Sequence, residues 1–155
     1  VGSEMCIRDR YTPSVTAAPS NPGLKATWHE FKGNKCSEIE KAPVNGTYPV
    51  EDVMIPKKVK GNIGLIIKGY FNAPQDDIYT FALLSDDGST LTIDSEQIVD
   101  NDGPHGPKEI VGQKALAKGY HPMELRYFDQ NGGQLKLKVT GSDGKEIPFT
   151  HLYAH

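Results

Sequence analysis

Ile78-Tyr79-Thr80-Phe81-Ala82-Leu83-Leu84-Ser85-Asp86-Asp87-Gly88-Ser89-Thr90-Leu91-Thr92-Ile93-Asp94 decides the fold class. Tyr79, Phe81 and Leu83 recur with a period of two, which puts one face of a strand into a core. Two carboxylates and a glycine end that strand, and Leu91 and Ile93 open a second alternating run. Adjacent carboxylates repel each other unless a cation or strong donors stand between them. Asp86-Asp87 is therefore the first place to look for bound calcium and for function.

The same rhythm recurs outward from this stretch. Residues 62–72 carry Ile63, Leu65, Ile67 and Tyr70, and residues 73–77 form a turn. Residues 90–94 and 97–100 pair as a hairpin around Asp94-Ser95-Glu96. Residues 113–117 form a short strand, which Gly119 ends before a run at 120–128. In that run Met123, Leu125 and Tyr127 alternate with Glu124 and Arg126. Pro122 lacks a ladder donor, so its start is expected at an edge or bulge. Asn131-Gly132-Gly133 is a turn. Residues 134–140 alternate most cleanly, with Leu135, Leu137 and Val139 inward and Lys136, Lys138 and Thr140 outward. Asp143-Gly144 closes another turn.

Nearer the start, Leu24, Ala26 and Trp28 predict a strand with Trp28 on the buried face. Residues 31–54 are irregular, with a short helix around residues 37–41 capped by Ser37. Short strands at this spacing, without repeats or a strand–helix–strand rhythm, predict an all-β sandwich or barrel with little helix.

The 155 residues suit one domain. The formal net charge of −3 gives no electrostatic reason to bind nucleic acid or an anionic membrane. No apolar run reaches the length of a membrane span. Residues 1–10 (Val1 to Arg10) read unlike the rest and resemble a translated sequencing adaptor. They are set aside as non-native, with the native start expected to be missing. That removes Cys6 and leaves Cys36 alone, so no internal disulfide is expected. Residues 11–22, rich in Pro, Ser, Thr and Ala, read as a linker between domains. The domain proper is expected over 23–155.

Asp86 and Asp87, with the Asn131-Gly132-Gly133 turn, offer the carboxylate, amide and carbonyl oxygens that calcium prefers. They equally suit a turn capped through backbone N–H groups. Asp100, Asn101, Asp102 and His105 lie in a second acidic loop that either contacts a polar ligand or is an ordinary loop of Asx-turns. Adjacent carboxylates do not supply the spaced pair of a glycoside hydrolase. Phosphate loop, nucleophile elbow and zinc spacing are all missing from the sequence, so no catalytic residue is expected.

Gly69-Tyr70-Phe71, Ile78-Tyr79-Thr80-Phe81, Ser85-Asp86-Asp87-Gly88-Ser89, Leu91-Thr92-Ile93-Asp94, residues 99–106, residues 117–122 and Tyr127-Phe128 follow one another in a specific order. With Ile147-Pro148 and Leu152-Tyr153 at the end, this order resembles the protective-antigen (PA fourteen) domain family from about Gly23 to Tyr153. The resemblance is closest to the version joined to bacterial glycoside hydrolases such as β-hexosaminidases and chitobiases. It implies an antiparallel β-sandwich and a noncatalytic carbohydrate-binding module, accessory to a hydrolase whose catalytic domain is linked covalently. It also implies an extracellular, cell-surface or periplasmic location. The alternative is a structural spacer or protein-interaction domain without a sugar site. Where relatives bind sugars through calcium, an Asp-Asp pair joined by a cis peptide and a nearby loop hold the ion. Sugar hydroxyls complete its shell. By that likeness Asp86, Asp87, Asn131, Gly132 and Gly133 would hold calcium. Asp86, Asp87, Asp100, Asn101, Asp102 and His105 would face a glycan. Asp94-Ser95 replaces the family's usual Asp-Gly, which implies a changed hairpin turn.

Overall fold

The computed structural model describes residues 11–15, 21–50, 53–55, 62–130, 133–147 and 152–154. Residues 1–10 lie outside the described residues, as do residues 16–20. The described strands are β1 (Asn21–Pro22), β2 (Leu24–Glu30), β3 (Val44–Val50), β4 (Asn62–Ala73), β5 (Asp77–Asp86) and β6 (Ser89–Ile93). They continue with β7 (Glu96–Asn101), β8 (Lys108–Leu116), β9 (Gly119–Gln130), β10 (Gln134–Thr140) and β11 (Leu152–Ala154). One 3-10 helix spans Cys36–Lys41.

The strands form an antiparallel β-sandwich. The larger sheet runs β1-β11-β4-β9-β6-β7, with β2 pairing to β4 and β3 outside β2; the smaller runs β10-β5-β8. β2 and β11 take successive parts of one β4 edge, Ile63 to Lys68 and then Tyr70-Phe71. The inward residues of alternating strands meet between the sheets: Leu65, Ile67 and Phe71 from β4, Tyr79, Phe81 and Leu83 from β5, Leu91 and Ile93 from β6. Phe71 packs edge-on against Tyr79 and Phe81, with ring centroids 5.3 and 5.7 Å apart.

β4 is buried on both faces because the 3-10 helix covers part of its outer side. Phe31, Cys36, Ile39, Ile66 and Phe128 form a small second cluster there. Gly64 permits this, since a Cβ at that position would lie 2.8 Å from the Ile39 side chain. The helix is where the sequence places one, but Ser37 is not its cap. Lys35 occupies that position without a side-chain bond, and the Cys36 N–H donates to Asp102 Oδ1 at 2.9 Å instead.

Trp28 stands opposite Leu65 on the core face, as expected, and packs against the main core while partly buried. His29, opposite Gly64 on the face covered by the 3-10 helix, is buried as well, 4% exposed. His29 Nδ1 lies 2.9 Å from the Ala42 carbonyl. Other expectations are corrected by packing. β3 is a strand within the segment read as irregular; Asn45-Gly46 and Pro49 mask it, and as the outermost strand it tolerates both. β9 is a central strand, paired with β4 along its whole length and with β6 from Met123 to Tyr127. Pro122 fits because β6 ends opposite Met123, and the Pro122 carbonyl on that flank accepts from Asp94 N–H at 2.9 Å. The proline's missing donor therefore faces a flank with no strand. The segment read as a linker is partly docked. Thr12 exchanges backbone bonds with Ala115 and Ala117, the Val15 N–H donates to the Tyr120 carbonyl, and Asn21-Pro22 pairs with β11.

The β6–β7 hairpin turns at Asp94-Ser95 with φ of +51° and +66°. These left-handed values match the strand twist of a tight hairpin and favour glycine at the second position. Ser95→Gly should raise stability by roughly 0.5 kcal/mol, the relief of left-handed strain less the added freedom of the unfolded chain. A thermal melt that moves down rather than up would refute this.

Candidate functional site

The Asp86-Asp87 pair stands where the chain leaves the smaller sheet for the larger one. β5 ends at Asp86, opposite Gln134 of β10, and β6 begins at Ser89, opposite Tyr127 of β9. The crossing is short because Ser85 and Ser89 meet through their hydroxyls at 2.5 Å. The Asp86–Asp87 peptide bond is cis. Gly88 passes between Phe128 and Gly103, where a Cβ would lie 2.5 Å from the ring and 2.7 Å from the Gly103 nitrogen.

The two carboxylates have different surroundings. Asp87 Oδ1 accepts the His105 N–H at 3.2 Å, and Oδ2 accepts the Gln130 N–H at 3.0 Å. Asp87 thus ties the 102–107 loop to the end of β9. Asp86 is half-buried, and among the described residues none bonds to its carboxylate. Its carbonyl oxygen is held instead by the Tyr127 hydroxyl at 2.7 Å. Asp129 Oδ2 lies 2.7 Å from the same hydroxyl, a second acceptor for its one hydrogen, and both residues are buried. Burial foremost, then the hydrogen bond and charge of Asp129, push the Tyr127 phenol far above its ordinary range, so it keeps its hydrogen. Gly133 closes the site. A Cβ there would fall well inside contact distance of the Asp86 carbonyl oxygen and 2.5 Å from the Tyr127 hydroxyl.

The structure brings Asp86, Asp87, Gly133 and the His105 backbone together. Asn131 and Gly132 lie outside the described residues. Among the described residues no group of three or more His, Cys, Asp or Glu side chains could hold a metal ion. A cation held by the carboxylate pair would need neutral oxygens to complete its shell.

The second loop separates into different roles. Asp100 is exposed and accepts the Asp102 N–H at 3.2 Å, an Asx-turn. His105 is half-buried, with Nδ1 2.7 Å from the Gly106 carbonyl and Nε2 2.8 Å from the Asn101 carbonyl. Both ring nitrogens are occupied within the loop. Two expectations are corrected. Asn101 is 3% exposed and does not face a ligand. Its amide nitrogen reaches the Lys108 carbonyl at 2.8 Å, Ser85 Oγ at 3.2 Å and the Leu83 carbonyl at 3.3 Å. Asp102 points away from Asp87, onto Cys36 and Gly103. It lines a groove of about 310 Å³ on the outer face of the larger sheet, with Glu40, Thr90, Glu124 and Arg126. Arg126 there pairs with Glu124 at 3.2 Å and Glu40 at 3.4 Å.

Tyr127, Asp129 and Gln130 were not legible as site residues. Tyr127 reads as one more inward residue of an alternating run. The available signal was its hydroxyl, which a fully buried tyrosine must pair.

Residues 20–149 match the sequence profile of the PA14 domain family. No curated protein sequence matches the chain significantly. Among solved structures, the PA14 sugar-binding domain from an RTX adhesin aligns at TM-score 0.72 and 16% identity, covering 88% of this chain and all of that one. The epithelial adhesin 6 A domain from Candida glabrata, solved with Galβ1-3GlcNAc, aligns at TM-score 0.64 and 14% identity, covering 93% and 90% of the two chains. The β-glucosidase from Kluyveromyces marxianus, solved with glucose, aligns at TM-score 0.61 and 16% identity, covering 83% of this chain but 18% of the enzyme. At these identities the likeness is one of fold.

Proposed function

The chain belongs to the PA14 domain family, and we propose that it is a noncatalytic carbohydrate-binding module acting through calcium. Asp86, Asp87 and the oxygens of the 131–133 turn would hold the ion, which would bridge to vicinal hydroxyls of a glycan. The observation that carries this is the Asp86 carboxylate. It is half-buried beside a second carboxylate, and no described residue bonds to it. Calcium takes six to eight oxygens and accepts carboxylates, amides and carbonyls together, so the donor set fits. A PA14 domain described as sugar-binding and an adhesin solved with a disaccharide share the fold. Asp100 and the half-buried His105 would form the rim. The glucosidase neighbour supports an accessory place in a larger glycoside hydrolase, outside the cytoplasm, with a catalytic domain linked covalently.

A second reading has its own observation. Both Asp87 oxygens already accept backbone N–H groups, as they would in a spacer or protein-interaction domain where the pair only braces two loops. Calorimetry on the whole chain separates the two. Calcium should bind with a Kd on the order of 10⁻⁴–10⁻³ M, the range of extracellular modules. A panel of mono- and disaccharides should then bind only with calcium present, and Asp87→Ala should abolish both. No calcium binding at millimolar concentration would leave only the bracing role.

A further inference from the structure

Three strand ends meet on one phenol oxygen. Tyr127 is fully buried near the end of β9. Its hydroxyl lies 2.7 Å from the Asp86 carbonyl oxygen at the end of β5 and 2.7 Å from Asp129 Oδ2. The position a Cβ would take on Gly133, just before β10, is 2.5 Å from the same hydroxyl. A phenol carries one hydrogen, so it serves one of these two acceptors at a time. A carbonyl has no hydrogen to return. The hydroxyl therefore sits at a shared point between Asp86 and Asp129, with Gly133 against it.

No described residue bonds to the Asp86 side chain. The side chain that holds the Asp86 backbone is Tyr127. Two adjacent carboxylates repel and gain by moving apart. Holding them together before a cation arrives is what makes a site tight. We propose that Tyr127 is the positioning residue of the Asp86-Asp87 cation site, fixing the Asp86 carbonyl and setting how closely Gly133 approaches it. This rests on the calcium reading given above.

Tyr127→Phe removes the hydroxyl and keeps the ring in the core. Calcium alone is titrated calorimetrically into the whole chain, wild type and variant, and each is melted with and without calcium. The variant should bind calcium roughly tenfold more weakly, the loss of one buried hydrogen bond expressed in the equilibrium. Its calcium-induced rise in Tm should shrink accordingly. A purely structural tyrosine would lower both melts equally and leave the Kd unchanged, which would overturn the positioning role alone. A wild type that binds no calcium overturns the calcium reading and this inference with it. Should the variant not fold, NMR of the wild-type chain with ring-labelled tyrosine decides the matter. The Tyr127 carbon bearing the hydroxyl should shift on calcium addition, and its failure to shift during saturable binding overturns the proposal.

Discussion

Asn101→Asp is expected to lower folding stability by about 3–5 kcal/mol at neutral pH, the scale of a buried charge left without a partner. The Asn101 amide nitrogen reaches three acceptors: the Lys108 carbonyl, the Leu83 carbonyl and Ser85 Oγ. Its Oδ1 faces no donor among the described residues. The side chain is thus retained for its two N–H groups, and aspartate has none when ionised. It would set a negative charge against two carbonyl oxygens in the interior. The cost should depend on pH with a definite sign. Burial raises the introduced carboxyl's pKa in the folded state above its unfolded value of about 3.9. Below that value the protonated group donates one hydrogen bond and the loss is small. The loss then grows as pH rises through the interval up to the folded pKa. Urea midpoints at pH 4 and pH 7 measure this, and a smaller loss at pH 7 than at pH 4 would refute it. The damage should spread to the loop, because the Asn101 carbonyl holds His105 Nε2 and the His105 N–H reaches Asp87.

The strands that were legible in sequence are those buried on one face. Leu135, Leu137 and Val139 define β10 to the residue, because an alternating run has one register that buries its apolar set. β3 is illegible in sequence for the opposite reason. It is an outer strand with exposed Val44 and half-exposed neighbours, so no apolar period forces its assignment. β8 runs from Lys108, ahead of the expected 113–117, because the outward face of its first half mixes Glu109 with an exposed Val111 and its inward Ile110 is only partly buried, so no clean alternation marks it. The candidate site was half legible. Adjacent charges announce themselves in one dimension, so Asp86-Asp87 was visible. The supports are brought from far along the chain. Tyr127, 41 residues from Asp86, is placed by the β9–β6 register. Asn101 and Asp102 are neighbours in sequence, yet one turns into the core and the other onto the 3-10 helix. Loop composition carries no information on such a division.

Gly133→Ala should destabilise the domain by about 3 kcal/mol, at the upper end of overpacking costs, and weaken calcium binding together with stability. The new methyl would press into the Asp86 carbonyl oxygen and lie 2.5 Å from the Tyr127 hydroxyl. The first obstacle is backbone at the end of β5, where no side-chain rotation can make room. Relief requires moving either the start of β10 or the end of β5. Gln134 and Leu135 pair with Asp86 and Ser85, so either motion strains the first rungs of that ladder. Either motion also pulls the Asp86 carbonyl from the Tyr127 hydroxyl and shifts one carboxylate against the other. Stability and cation affinity should therefore fall as a pair. Gly106→Ala is the matched control, because a Cβ there meets nothing within 4 Å. It should stay within about 0.5 kcal/mol of wild type. A Gly133→Ala variant that unfolds at the wild-type urea concentration would show that the 133 turn stands clear of Asp86, and the site would lose its third wall.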